Sequence, residues 1–339
     1  MPLAGCGAGR IEASDLQLGP ILLPMRFILS SLFCIATGGC GTDFSTAPMA
    51  AAGLGGAPST SEVVSTFGGN VPTLGSEGVA GAKDSSSASP CGPLRDDPAS
   101  AAVELCVPEG DFTMGSQSAN LGNGHADHTP AHQVTLSAYV IDSFEVTVGR
   151  YRTCVLAGSC GSPSTDVTRG CTYAAVVGLS DSLPVSCVTA SQAEEFCIWD
   201  NGRRLPTEAE WERSARGSDE RLFPWGSVFA CDRAVAAANA TCASVHSGIA
   251  AVGSVPAGNS PTGAHDMAGN VAEWVKDFAS SYPTTKVTDP IGPATGVSRI
   301  LRGGSVSSNS LDTQTFVRLT TAATTIGAFG FRCARSVAQ

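Results

Sequence analysis

Three sets of side chains in this 339-residue chain have the types and spacing to do chemistry. The first is His125, Asp127, His128 and His132. Imidazoles with an intervening carboxylate suit zinc or iron. Gly and Pro flank the stretch, however, and its first half reads as exposed. The expectation is therefore a solvated loop leading to a histidine at a strand edge. The second set is the block Asp266-Met267-Ala268-Gly269-Asn270-Val271-Ala272-Glu273-Trp274. Calcium takes six to eight oxygens from carboxylates and carbonyls. A glycine-bent loop with Asp at one end and Glu at the other can supply them. The competing expectation is a structural turn with Glu273 in an ion pair, Arg302 being the partner considered. The third set is the thirteen cysteines. Cys6, Cys34 and Cys40 fall in a part expected to be removed or lipidated. The ten that remain, an even number in an exported chain, favour disulfides over thiols or zinc. No two of them have the CxxC spacing of a zinc site or redox dithiol. Local spacing pairs Cys91 with Cys106, Cys154 with Cys160, Cys171 with Cys187, and Cys231 with Cys242. No GxSxG elbow, P-loop or dinucleotide fingerprint is present.

The elements that must position these groups are short. Arg203 to Gly217 reads as loop, helix and stop. Thr207 is placed as N-cap, with Glu210 three residues later closing a capping box. Acidic residues crowd the first turn, Arg213 and Arg216 the last, and Gly217 ends it. Upstream, Thr189 and Gln192 form a second capping box ahead of an apolar face at Ala193, Phe196 and Cys197. Glu145 and Thr147 precede a third helix, in which Val148, Tyr151 and Val155 share a face. Val107–Met114 and Gln133–Ile141 read as strands. Residues 157–186, and those from 227 to about 264, read as loops. Few helices among many short strands predict an α+β domain.

Six blocks, in order, carry a resemblance. They are GDFTMGS (110–116), DSFEVTVGRY (142–151), RRLPTEAEWERSARG with FPWG (203–226), GAHDMAGNVAEW (263–274), RGGS (302–305) and GFRCAR (330–335). Together they resemble the formylglycine-generating enzyme, or sulfatase-modifying factor, family over about residues 106–336. The resemblance implies a variant of the C-type lectin-like fold, low in regular secondary structure. It implies a disulfide between Cys197 and Cys333. It also implies calcium at side chains matching Asp266 and Glu273 and carbonyls matching Gly269 and Val271. The family's usual aromatic before that glutamate is Ala272 here. Active members hold copper(I) on two cysteines shortly after RGGS. Those thiolates suit a soft ion, and with oxygen the metal oxidises a substrate cysteine to formylglycine. In this chain Ser308 and Thr313 stand about where the two thiols belong, and no cysteine occurs between Cys242 and Cys333. Hydroxyls stay protonated at neutral pH and do not hold copper(I).

The net charge of −10 argues against nucleic acid and against docking to anionic lipid. Residues 1–24 read as an artefactual extension ahead of Met25. Arg26 and the apolar run Phe27–Ala36 then read as a secretory signal ending in the small residues before Cys40. The run is too short to span a membrane, and Cys40 is the candidate for lipidation. Residues 41–90, rich in Ala, Gly, Ser and Thr, read as a disordered tether. The domain is expected over 91–339. The resulting reading is an exported, envelope-tethered monomer that binds a protein or glycan, with calcium and without copper. A formylglycine-generating oxidase with a displaced site is one rival. An iron-dependent sulfoxide synthase is another, and it would need a histidine-bearing helical domain that the first ninety residues do not resemble.

Overall fold

The structure is a computed structural model that describes residues 89–118, 127–178, 180–237, 242 and 247–337. The chain divides into two units, Met1–Val79 and Ala80–Gln339, and all of these residues belong to the second. The extension, the signal segment, all but the last two residues of the tether, Cys40 and His125 lie outside the described residues. No helix among the described residues is long and apolar enough to cross a membrane.

Among the described residues eleven short strands form three sheets. β1 (Asp96–Asp97), β2 (Ala102–Val107), β5 (Tyr139–Asp142) and β11 (Ala334–Ser336) make the first, in that order. β10 (Phe329–Gly330), β6 (Ala272–Phe278), β8 (Ser298–Arg302) and β9 (Leu319–Ala322) make the second. β3 (Gly110–Met114), β4 (His132–Leu136) and β7 (Val287–Thr288) make the third. The helices are α1 (Val148–Leu156), α2 (Ala190–Trp199) and α3 (Glu208–Arg216).

α3 is the spine, and its sequence explains why it starts and stops where it does. The Thr207 hydroxyl accepts from the Glu210 N–H (3.2 Å), and the Glu210 carboxylate accepts from the Thr207 N–H (2.8 Å). Arg204 grips both oxygens of the same carboxylate at 2.7 Å. Gly217 ends the helix at φ 73°, where a side chain would also press on Pro261 at 3.1 Å. Every residue of α3 except Arg213 is buried. Ala209 packs with Phe112, Val134, Leu136 and Tyr139, while Trp211 and Ala215 pack with Met267, Val275 and Ile300. The helix thus joins the apolar faces of different sheets.

Its glutamates are buried because each meets an arginine. Arg318 is bidentate to Glu208 at 2.7 and 3.0 Å. Glu212 accepts from Arg302 at 2.5 Å, from Arg216 at 2.8 Å and from the Gly115 N–H at 2.7 Å. Burial of such charges is tolerable only with this degree of pairing.

α1 and α2 share another core. Tyr151 stacks on Phe196 at 5.5 Å, and Phe331 meets Phe196 edge-on at 5.5 Å. Cys197 is joined there to Cys333, linking α2 to the residue before β11. The other disulfides are Cys91–Cys106, Cys154–Cys160, Cys171–Cys187 and Cys231–Cys242.

Both strand expectations need correction. The stretch Val107–Met114 is not one strand: β2 ends at Val107 and β3 begins at Gly110. Pro108 intervenes, with no N–H to offer a ladder. Gln133–Ile141 is likewise two strands in different sheets. The break is at Ser137, whose N–H and hydroxyl both donate to Asp289, each at 2.7 Å.

Candidate functional site

The loop after β8 is where the sequence places Ser308 and Thr313, and the fold brings the two together. Gly303 and Gly304 turn at φ 85° and 70°. A Cβ on Gly304 would stand 3.1 Å from the Ser308 hydroxyl oxygen and 3.0 Å from the Thr313 methyl. Neither hydroxyl is idle. Ser308 accepts from the Ser305 N–H at 3.0 Å, and the wholly buried Thr313 donates to the Ser310 carbonyl at 3.0 Å. Arg302, also wholly buried, donates to the carbonyls of Thr315, Phe316 and Val317 at 2.8 to 2.9 Å. The end of the loop is thereby tied to its start. Each of the ten cysteines among the described residues is in a disulfide, so none is a thiol. These residues do not fit copper(I), which needs sulfur ligands here.

The second group surrounds the loop before β6. Asp266, Gly269 and Asn270 have φ of 57°, 90° and 61°, and a Cβ on Gly269 would strike the Val235 carbonyl at 2.4 Å. Glu273 is not paired with Arg302. Arg332 takes both of its oxygens, at 2.7 and 2.8 Å, and the Trp211 indole N–H donates to it at 2.9 Å. Arg302 is committed to Glu212 instead.

Glu145, a residue sequence reasoning noted only as preceding α1, joins this group. It accepts from the Asn270 amide at 2.9 Å and the Val271 N–H at 3.3 Å. Burial, and then the charges of Asp266 and Glu273, push the Glu145 carboxyl well above its ordinary range. Burial also raises Asp266 to about 6. Three carboxylates are thus set around one guanidinium, an excess of buried negative charge. Among the described residues no three His, Cys, Asp or Glu side chains converge as a ready metal cage. The donor chemistry, all oxygen and net anionic, still fits a hard divalent ion that draws on loop carbonyls. Asp266 has the most acceptor capacity left, since its one recorded donor is the Gly253 N–H at 2.6 Å. Glu273 has three of roughly four acceptor positions filled.

The histidines do not assemble. His128, expected in a solvated loop, is wholly buried against Phe316 (5.0 Å between ring centres), with Nε2 at 3.1 Å from the Ser118 carbonyl. His132 begins β4 and packs on Tyr282 at 4.8 Å. Desolvation lowers the pKa of His132, which favours the neutral ring.

A cleft of about 660 Å³ opens at another place, lined by the turn Asp97–Ala102, by α1 and by the end of α2. The sequence offered no sign of it, because its lining residues come from five separated segments.

Comparison with known proteins bears on the whole domain. The family model described as "Sulfatase-modifying factor enzyme 1-like domain" matches residues 93–337. Formylglycine-generating enzyme of Streptomyces coelicolor is 29% identical over 259 residues, covering 61% of this chain and 80% of that protein. Hercynine oxygenase of Mycolicibacterium smegmatis is 29% identical over 61% of this chain and 55% of that protein. Serine/threonine-protein kinase Pkn1 of Chlamydia trachomatis is 32% identical over 69% of this chain, and the match spans only 38% of that protein. Among solved structures, PvdO from Pseudomonas aeruginosa superposes with a TM-score of 0.57 at 24% identity, covering 68% of this chain and 93% of that one. Treponema denticola variable protein 1 gives 0.55 at 23% identity, covering 68% and 94%. With the six sequence blocks, the α3 spine and the loop at Gly304 in place, the chain belongs to the sulfatase-modifying factor family of formylglycine-generating-enzyme-like domains.

Proposed function

We propose that this domain is a non-catalytic binding or structural module of its family, exported and tethered to the cell envelope. Calcium sits at the loop before β6 and the copper centre has been lost. The observation that carries the reading is the pair Ser308 and Thr313. Both stand beside Gly304, in the loop after RGGS about where the resemblance expects the family's thiolates, and both hydroxyls are bonded within that loop. The disulfides leave no described cysteine to replace them. Five disulfides also suit an oxidising compartment, which supports export. Asp266, with Glu273 and the carbonyls of Gly269 and Val271, would hold the calcium, which would neutralise the excess carboxylate charge.

The test is oxidation of a cysteine in a sulfatase-type peptide by the full chain with copper(I) and oxygen. Mass spectrometry should find the thiol unchanged. Appearance of the aldehyde would overturn the reading and establish the second one, a formylglycine-generating oxidase. Similarity to formylglycine-generating enzymes favours that alternative. In the companion variant Ser308→Cys with Thr313→Cys, copper(I) binding should appear whether or not turnover does.

A further inference from the structure

The cleft beside α1 and α2 has the make-up of a ligand site, and it shares no lining residue with the loop at Gly304 or the loop before β6. Its volume, about 660 Å³, lies within the usual range for small-molecule sites. Trp199, the last residue of α2, stands in its wall with 37% of its surface exposed. It leans on Phe196 at 5.6 Å, so the ring is backed and held. A backed indole facing a concave space is an apolar platform with something left to cover.

The polar groups decide what would cover it. Asp200 is shared by Arg95 (3.0 Å), Arg150 (2.8 Å) and Arg203, which neutralise it. Asp181 is held by Arg152 at 2.6 Å. Asp97 is exposed and bonded to Ser100 within its own turn. An anion would meet three carboxylates. A cation would meet arginines already in place and two carboxylates, Asp200 and Asp181, that arginines already hold. What is left is hydrogen-bonding capacity without a strong net field: Asp97 as acceptor, the outer face of Arg95 as donor, the Ser182 hydroxyl as both, and the Thr153 hydroxyl, whose proton goes to the Arg150 carbonyl at 2.6 Å, as acceptor.

We infer that this cleft binds an uncharged saccharide, with a pyranose ring laid on Trp199 and its hydroxyls bonded to Asp97, Arg95 and Ser182. The C–H face of such a ring is the apolar partner an indole takes, and its equatorial hydroxyls match a rim of mixed donors and acceptors. The inference rests on the binding-module reading and names its ligand class. The peptide-oxidation assay probes the loop at Gly304, so either result can fail alone.

The experiment is saturation-transfer NMR on the full chain with maltose, cellobiose, lactose and N,N′-diacetylchitobiose, and with tetramethylammonium as a cationic probe. At least one disaccharide should receive saturation through its ring protons. Trp199→Ala should weaken that binding roughly tenfold, the scale of one aromatic contact. Ala99→Trp, on the exposed turn, should block the cleft without touching the core. An unchanged thermal midpoint in either variant shows that the fold is intact. The proposal is overturned by transfer to none of the sugars, by transfer that both variants leave unchanged, or by transfer to tetramethylammonium alone.

Discussion

Glu273 and Arg302 face each other across the β6–β8 ladder and do not bond; each meets Trp211 instead. The indole N–H donates to Glu273 at 2.9 Å, while the Arg302 guanidinium lies over the ring at 5.3 Å. One side chain of α3 therefore separates two opposite charges and sends them to different partners, Arg332 and Glu212. A double-mutant cycle on Glu273→Gln and Arg332→Met should give a coupling of at least about 2 kcal/mol, since either single change strands a buried charge. The cycle with Arg302→Met should give a clearly smaller coupling, carried only through the shared Trp211. Urea unfolding measures both, and equal couplings would contradict the described pairing.

Calcium should raise the thermal midpoint by binding the folded state. Asp266→Ala should abolish the gain. It is a better probe than Glu273→Ala, which also strands Arg332. Identical midpoints of the unaltered chain in calcium and in chelator would rule the site out.

Cys197 and Cys333 should be recovered as one linked peptide on non-reducing digestion. The loop they close has a sequence separation of 136 residues, and in the chain-entropy model it contributes roughly 4–5 kcal/mol. Cys197→Ala with Cys333→Ala should lower stability by about 2–5 kcal/mol. Free alkylated thiol at either position in the native chain would reject the bond.

Asp277 should make the fold less stable as pH rises. Burial, and then repulsion from Glu208, raise its carboxyl to about 7 from 3.8. The folded chain holds that proton more tightly than the unfolded chain does. Its contribution is therefore fully present below pH 3.8, falls as pH rises to about 7, and is flat beyond. The difference is on the order of several kcal/mol. Asp277→Asn keeps an acceptor for the Glu208 N–H, at 2.8 Å in the native chain, and cannot ionise. Its stability should pull ahead of the native chain between pH 5 and about 8. Parallel stability curves across that range would refute the assignment.

Local chemistry made much of this fold legible. Thr207 with Glu210 and Thr189 with Gln192 are capping boxes in sequence and in space, because a cap depends on residues three apart. Legibility ended where partners are distant. Arg332 and Arg302 are both arginines near Glu273, and only the placement of Trp211 decides between them. Gln133–Ile141 looked like one strand because its interruption comes from Asp289, about 150 residues away. His128 sits beside Gly and Pro yet is buried, since the covering ring, Phe316, arrives from the far end of the chain.

The first sheet has a consequence for the architecture of longer proteins. β2 and β11 lie on either side of β5, so the domain's second and last strands are two ladder spacings apart, about 10 Å. Arg335 fastens them further, bonding Glu104 at 3.1 Å and the Pro93 carbonyl at 2.9 Å. A polypeptide passing through this domain enters and leaves at neighbouring points. The unit can be spliced into a loop of a host protein, or strung on a tether, without forcing the flanking segments apart. Cys106 and Arg335 both lie opposite Val140 at that end, so tension applied across those two points would act across the ladders and open them from that end.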